Sequence, residues 1–258
     1  MEAHMILSVP ENHHGRDFVV GDLHGCYLAL QILMAEVSFN RQKDRLFAVG
    51  DLCDRGDESQ RCIELLKQPW FFAVRGNHEA MMLAWYYSGP YERPAKQQRW
   101  CQEGGEWFFT VLPDLQDAYC QLVEQLPWAM LIENQGMRYA VLHAEISPEI
   151  SKFEDFMILL LEEEPSVLNA CLRGRRRQRS HFQQPITGID YLLNGHTPGR
   201  FPQIWAGNTM RLDFGAGHAG KTTGLGMLEL GRKRLFIRYA DKLIEHDVTS
   251  HFTRVKSE

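Results

Sequence analysis

The chain has 258 residues, 44% of them hydrophobic and 24% charged, an ordinary globular composition that permits a sizeable core in one large α/β domain. A formal net charge of −5 argues against broad phosphate-backbone binding, which needs surplus Lys and Arg, so no nucleic-acid partner is expected. The longest internal apolar run, Phe156 to Leu161, falls far short of the ~20 residues of a membrane span, so no membrane partner is expected either.

Near the start, MILSVP is too short for a signal-peptide core and is flanked by Glu2 and Glu11. DFVVGD then reads as a short β-branched strand leading through Gly25 into the amphipathic YLALQILMAEV. RLFAVGD is a second strand, followed by helical QRCIELLK; FFAV is a third, followed by EAMMLAWYY. Strand, loop and helix in series predict βαβ units and a parallel sheet. Asp22 to Asp51 spans 29 positions and Asp51 to Asn77 spans 26, close to one such unit.

A loop with breakers at Gly89, Pro90 and Pro94 precedes a mainly helical stretch from about Glu106 to Gln125. The section from about Ser88 to Gln125 is expected to form a helical wall near the cleft, with Trp100, Trp107, Phe108 and Phe109 in the core. AMLIE and MRYAVLH predict a hairpin with Asn134-Gln135-Gly136 at its tip. Ser151 to Leu172 reads as helical, interrupted by Pro165. YLLNGH, TMRLDF, GMLEL and LFIRYA are short strands, the last two joined by Gly231-Arg232-Lys233-Arg234. Residues 1–258 are expected to form one domain with its core at about 17–240 and poorly ordered termini, including the tail after His246. The six cysteines (Cys26, Cys53, Cys62, Cys101, Cys120 and Cys171) form no C-x-x-C pair or zinc spacing and read as reduced thiols of a cytoplasmic protein.

The chemistry gathers at strand ends, where open α/β sheets place their functional groups. GDLHG, GDLCDRG and GNHE each set a glycine turn before a ligand-type residue; VLHAE and NGHTP add His143 and His196. Asp22, His24, Asp51, Asn77, His143 and His196 together offer carboxylate, amide and imidazole donors without thiolate. Such a set suits manganese, iron or zinc. Six ligands serve two ions if one carboxylate bridges, and Asp51, on the middle of the first three strands, is the natural bridge.

These boxes, in this order and spacing, resemble the metallophosphoesterase signature, specifically the phosphoprotein phosphatase superfamily and its small bacterial and bacteriophage lambda members. The resemblance runs from about Asp17 to Leu230. It implies a four-layer αββα sandwich of two packed mixed sheets flanked by helices. It also implies two divalent ions, manganese favoured with iron and zinc as the other candidates. Asp22, His24 and Asp51 would hold one ion, and Asp51, Asn77, His143 and His196 the other. A hydroxide between them would attack phosphorus in line, without a phosphoenzyme. His78 resembles the general acid, Asp54 its orienting partner and Arg55 a phosphate clamp.

A second clamp is expected within CLRGRRRQRS, with Arg173 chosen and Arg175 next, the remaining arginines reading as a solvated loop. Relatives usually carry tryptophan before that arginine, whereas Cys171-Leu172 stand here; Glu145 and Phe214 also depart from the pattern. Cys53, inside the second box, reads as packing, with oxidation sensitivity as the alternative. His218 reads as a surface residue, with approach to the metals as the alternative, and His4, His13, His14 and His181 as solvent-exposed.

The implied activity is a protein phosphatase on phosphoserine and phosphothreonine, with phosphotyrosine and phosphohistidine as further substrates. A symmetrical dinucleoside tetraphosphate hydrolase is the alternative, disfavoured by Glu79 and Arg55-Gly56. A non-catalytic binding module would be expected to have lost ligands that are intact here.

Overall fold

Residue alternation along the strands determines the layering. In the computed structural model, which describes residues 5–180, 182–220 and 222–252, the strands are β1 (Ile6–Val9), β2 (Asp17–Val20), β3 (Arg45–Ala48), β4 (Phe71–Ala73), β5 (Ala129–Asn134), β6 (Met137–Leu142), β7 (Tyr191–Asn194), β8 (Trp205–Ala206), β9 (Thr209–Arg211), β10 (Asp213–Phe214), β11 (Gly224–Glu229), β12 (Arg234–Tyr239) and β13 (Leu243–Asp247). One sheet runs β1-β5-β6-β7-β9-β8; the other runs β13-β12-β11-β2-β3-β4, with β10 beside β11. Both are mixed: β2-β3-β4 and β6-β7-β9 are parallel, whereas β5-β6 and β11-β12 are antiparallel hairpins.

Val19, Phe47, Val49, Tyr139, Val141 and Leu193 point between the sheets into one core. Their neighbours Phe18, Val20, Leu46 and Ala48 face α1 (Tyr27–Glu36), α2 (Ser59–Glu64), α3 (Asn77–Tyr86), α4 (Arg93–Cys101) and α5 (Pro113–Glu124) in a second. Ala140, Leu142 and Leu192 face α6 (Phe153–Leu161) and α7 (Pro165–Arg173) in a third. Period-2 alternation with both faces apolar therefore produces an α/β/β/α stack, and a one-residue slip would exchange the cores. Among the described residues no helix is long and apolar enough to cross a membrane.

Four expectations change. MILSVP contains β1, which pairs in parallel with β5 and is tied to the sheet. The loop around Pro94 contains α4: proline lies in its first turn, where no N–H partner is required, so a breaker becomes an initiator. The tail after His246 is packed at least to Phe252, because β13 pairs with β12 and the Phe252 ring lies 4.6 Å from that of Tyr191. TMRLDF is not one strand. It leaves one sheet at Arg211 and enters the other at Asp213, which brings Asp213 beside the Asp22 strand end. His4 and His181 lie outside the described residues.

The β11–β12 turn also carries a buried cation. Lys233 donates to Tyr139 Oη and Leu230 O, between the rings of Tyr139 and Phe252 at 5.1 and 5.2 Å. Burial pushes its ammonium down to about 8. A lysine in the unfolded chain titrates near ~10.4, so between these values the unfolded state binds more protons and stability rises with pH. That contribution is complete above the unfolded value and is lost as pH falls through the folded one. Lys233→Met should flatten this part of the profile, checked by urea unfolding of both proteins from pH 7.5 to 10.5.

Candidate metal centre

Strand register delivers the side chains. Val20, Ala48 and Ala73 are level across β2, β3 and β4, and Asp22, Asp51 and Asn77 follow them by two, three and four residues. Val141 and Leu193 are level across β6 and β7, followed by His143 after two residues and His196 after three. The chain must turn sharply here: His24, Asp51, Asp54, Arg55 and His196 all have positive φ, at 41°, 50°, 73°, 70° and 66°. Such conformations cost of order 1–3 kcal/mol each, so the surrounding contacts must hold them. Gly76 and Gly195 allow the backbone to approach the carboxylates closely; a Cβ would fall 2.2 Å from Asp51 Oδ1 and 1.8 Å from Asp22 Oδ1 respectively.

Asp51 is the hub. Its Oδ2 lies 3.3, 3.6 and 3.8 Å from Nε2 of His143, His24 and His78, and its Oδ1 accepts the His78 N–H at 3.0 Å. His24 and His143 each donate Nδ1–H to a main-chain carbonyl, Cys53 O at 3.0 Å and Val49 O at 2.8 Å, which turns both Nε2 atoms inward. Asn77 Oδ1 lies 2.9 Å from His143 Nε2, while both Asp22 oxygens accept the His196 N–H at 3.2 and 3.0 Å. His24, Asp51 and His78 form one close donor group, and Asp51, His143 and His196 another. Asp22 stands beside the first, 4.0 Å from His24 Nε2.

Electrostatics favour cations at this edge. Burial, with Asp213 and Asp51 nearby, holds Asp22 well above the usual carboxylate range. Burial alone would raise Asp51 too, but His143, His78 and His24 outweigh it and keep the carboxyl well below that range. Burial pushes His24 well down, and His196 to about 3, so both rings are neutral and carry the lone pair a metal needs. His143 is raised: burial opposes charge, yet Asp51 and its hydrogen bond draw a proton onto the ring. Mutually repelling buried carboxylates among inward-facing imidazole nitrogens fit a divalent cation in place of that proton.

His78 is held from the other side. Its Nδ1 lies 2.6 Å from Asp54 Oδ2, and Asp54 is fully buried. Burial lowers the imidazole's proton affinity, but Asp51 and Asp54 outweigh it and leave His78 above its ordinary value. Trp100 Nε1 donates to Asp54 Oδ2 at 2.6 Å and Trp107 Nε1 to Oδ1 at 2.7 Å. These indoles, expected only as core, bring both oxygens of a buried carboxylate partners from the helical wall. The available signal was three tryptophans and two phenylalanines clustered within one polar stretch, Trp85 to Phe109. Glu79 also does more than start a helix. Gly76 caps α3, and the Glu79 carboxylate accepts N–H groups of Gly76, Asp51 and Leu52 at 2.9, 2.9 and 2.8 Å.

The arginines divide. Arg55 reaches His24 Nε2 and His78 Nε2, the latter at 3.2 Å. Arg173 ends α7, exposed, and feels the charges of Arg99 and Asp51, whereas Arg175 donates Nε–H to His196 Nε2 at 3.1 Å. Arg177 is not a solvated loop residue: it is buried and donates to the carbonyls of Ile146, Ile150 and Gln184. Glu145 accepts the Arg176 and Arg177 N–H groups at 2.9 and 2.8 Å, fixing the loop that carries these arginines. Cys53 is fully buried, and burial with Asp54 and Glu79 drives its thiol well up, so the packing reading holds and an oxidation switch lacks the exposed thiolate it needs. His218 is exposed, its ring 6.3 Å from that of His24.

An α/β/β/α stack that gathers imidazoles and carboxylates at its strand ends is the architecture of a metal-dependent hydrolase. The chain belongs to the calcineurin-like phosphoesterase family, whose description matches residues 18–200. It is 33% identical over 213 residues, 81% of this chain and 92% of the relative, to serine/threonine-protein phosphatase 2 of Escherichia coli strain K12. It is 29% identical to the symmetrical bis(5'-nucleosyl)-tetraphosphatase of Haemophilus influenzae, over 71% of this chain and 66% of that one. The fold matches the crystal structure of a putative diadenosine tetraphosphatase with a TM-score of 0.59 at 21% identity, covering 94% and 97% of the two chains. The protein is thus a phosphatase-class hydrolase of a family that uses divalent metal ions.

The indole contacts can be tested directly. Trp107→Phe keeps an aromatic ring and removes one Asp54 bond; kcat on a phosphoserine peptide, whose leaving group needs the His78 proton, should fall about ten- to a hundredfold, as for comparable supporting residues, and kcat on p-nitrophenyl phosphate much less. Metal content by atomic emission should not change.

Proposed function

We propose that the chain hydrolyses phosphoserine and phosphothreonine in proteins, with phosphotyrosine and phosphohistidine as further substrates, and that it does so in the cytoplasm. The observation that carries this reading is the His78–Asp54 pair, 2.6 Å apart and set beside Asp51. A poor leaving group such as a serine alkoxide needs a proton donor, and here one is built in. The serine/threonine phosphatase relative, at higher identity and coverage than the tetraphosphatase, supports the same substrate. Six free cysteines accord with a reducing compartment.

Asp22, His24 and Asp51 would hold one divalent ion, and Asp51, Asn77, His143 and His196 a second, with manganese the favoured metal. When bound, the ions supply a nucleophile from water at neutral pH and offset the phosphate's charge during in-line attack. Arg55 and, from the far wall, Arg173 bind phosphate oxygens; Arg175 is the other candidate for the second position. His78 Nε2 gives its proton to the departing alcohol. Asp54, fixed by two indoles, holds the opposite ring nitrogen and stabilises the protonated form.

Two substitutions separate these roles. Asp51→Asn should lose bound metal and turnover together, read by atomic emission and a phosphate-release assay. His78→Asn should keep metal and lose about 10²- to 10⁴-fold on a phosphoserine peptide, but much less on p-nitrophenyl phosphate, whose leaving group needs no proton. Equal losses on both substrates would refute the acid assignment. A side-by-side assay of the phosphopeptide and diadenosine tetraphosphate decides the substrate class.

A further inference from the structure

Asp213 is a carboxylate only 3% exposed, on the two-residue strand β10 that the chain enters as it passes from one sheet to the other. Main-chain contacts hold it in place. The Leu212 N–H donates to Asn194 O, at the end of β7, at 2.7 Å, and the Gly199 N–H donates to Asp213 O at 2.8 Å. Gly21, which precedes Asp22, packs so closely that a Cβ there would fall 2.1 Å from Leu212 O and 3.2 Å from Asp213 N. Asp213 is thus wedged between the strand end that carries Asp22 and the one that carries His196.

Its two oxygens are not equally engaged. Oδ1 accepts the Gly215 N–H at 2.7 Å, which closes the turn after β10. Oδ2 accepts no hydrogen bond among the described residues, and although the residue is buried this atom still reaches accessible space. The space it reaches is set by its neighbours: the Asp213 charge acts on Asp22, and Asp51, His143 and Arg55 act on Asp213. Two buried carboxylates side by side repel each other, and buried anions are paired or bind cations. Asp22 comes within 4.0 Å of His24 Nε2, whereas Asp213 forms no ion pair with a histidine or arginine among the described residues. A hydrated divalent cation supplies what is missing, positive charge for both carboxylates and an O–H for Oδ2.

We infer that Asp213 is a positioning residue of the metal centre: beside Asp22, it draws the divalent ion to the Asp22–His24–Asp51 position, and its Oδ2 accepts an O–H from water carried by that ion. The inference rests on the two-ion reading above. Having no histidine partner, Asp213 stands outside the six donors and acts through charge and water, so its loss weakens the ion without abolishing the site.

The test titrates manganese into the metal-stripped protein at neutral pH, followed by calorimetry, with Asp213→Asn and Asp213→Ser beside wild type. Both variants keep an oxygen that can accept the Gly215 N–H, so the turn is retained while the charge is lost. In each, one manganese affinity should fall about ten- to a hundredfold, as for other partners of metal ligands, while the second changes much less. The same loss should appear in a His196→Gln background, where the second position lacks a donor. The thermal midpoint of metal-free Asp213→Asn should not fall, because one of two repelling buried carboxylates is gone, and its rise on adding manganese should shrink.

A carboxylate that only closes the turn gives the opposite pattern, a lower metal-free midpoint with both manganese affinities unchanged, and this would overturn the inference. Equal weakening of both ions, or a loss that disappears in the His196→Gln background, also refutes it. Wild-type protein that binds no manganese refutes the metal reading and the inference together. Wild type that binds two ions while Asp213→Asn binds them equally well refutes the role of Asp213 alone.

Discussion

A buried carboxylate surrounded by three imidazoles is the contact around which this edge of the molecule is organised. Asp51 can occupy that position only with φ near 50°, and the strain is offset by a fixed set of partners. Glu79 reaches back from the first turn of α3 to the main-chain N–H groups of Asp51, Leu52 and Gly76, and so ties the end of β3 to the end of β4. The carbonyls of Val49 and Cys53 then aim His143 and His24 at the carboxylate that follows or precedes them in sequence. Loop, helix start and ligand orientation are one hydrogen-bonded unit, as preorganisation of a metal site requires.

The two sheets contribute different things to it. The β2-β3-β4 sheet supplies oxygen donors and His24 from consecutive parallel strands, stepped by one residue per strand. The β6-β7 strands supply His143 and His196 from the opposing layer, across a core packed by Val49, Val141 and Leu193. Because the site straddles the seam between sheets, sheet packing positions the imidazoles against the carboxylates. Loosening the inter-sheet core would separate donors that no single sheet can bring together.

The helical wall joins the chemistry through an unexpected route. Trp100 and Trp107 pack among aromatic neighbours, yet their N–H groups are spent on Asp54, an isolated buried carboxylate that would otherwise be costly. The same residues thus fill the core and fix the partner of His78. On the far side, Glu145 and Arg177 perform a comparable service for the arginine loop by consuming its main-chain N–H groups and neighbouring carbonyls.

By itself, the sequence determined the parallel βαβ half, the β5-β6 hairpin, the split of the α6–α7 segment at Pro165 and the donor set at five strand ends. These follow from local patterns: period-2 alternation, glycine after a strand, proline at a helix start. Tertiary structure alone decided what depends on partners distant in the chain. β1 exists because β5 offers it a ladder, and the chain after His246 is ordered because β12 and Tyr191 receive it. Trp107 meets Asp54 across 53 positions and Glu79 meets Asp51 across 28, separations that carry no local signal. Asp213 likewise comes beside the Asp22 strand end only because the chain changes sheets between Arg211 and Asp213, which no spacing in the sequence marks. Donor types are written in single residues, whereas the orientation that makes them a site is a property of packed surfaces.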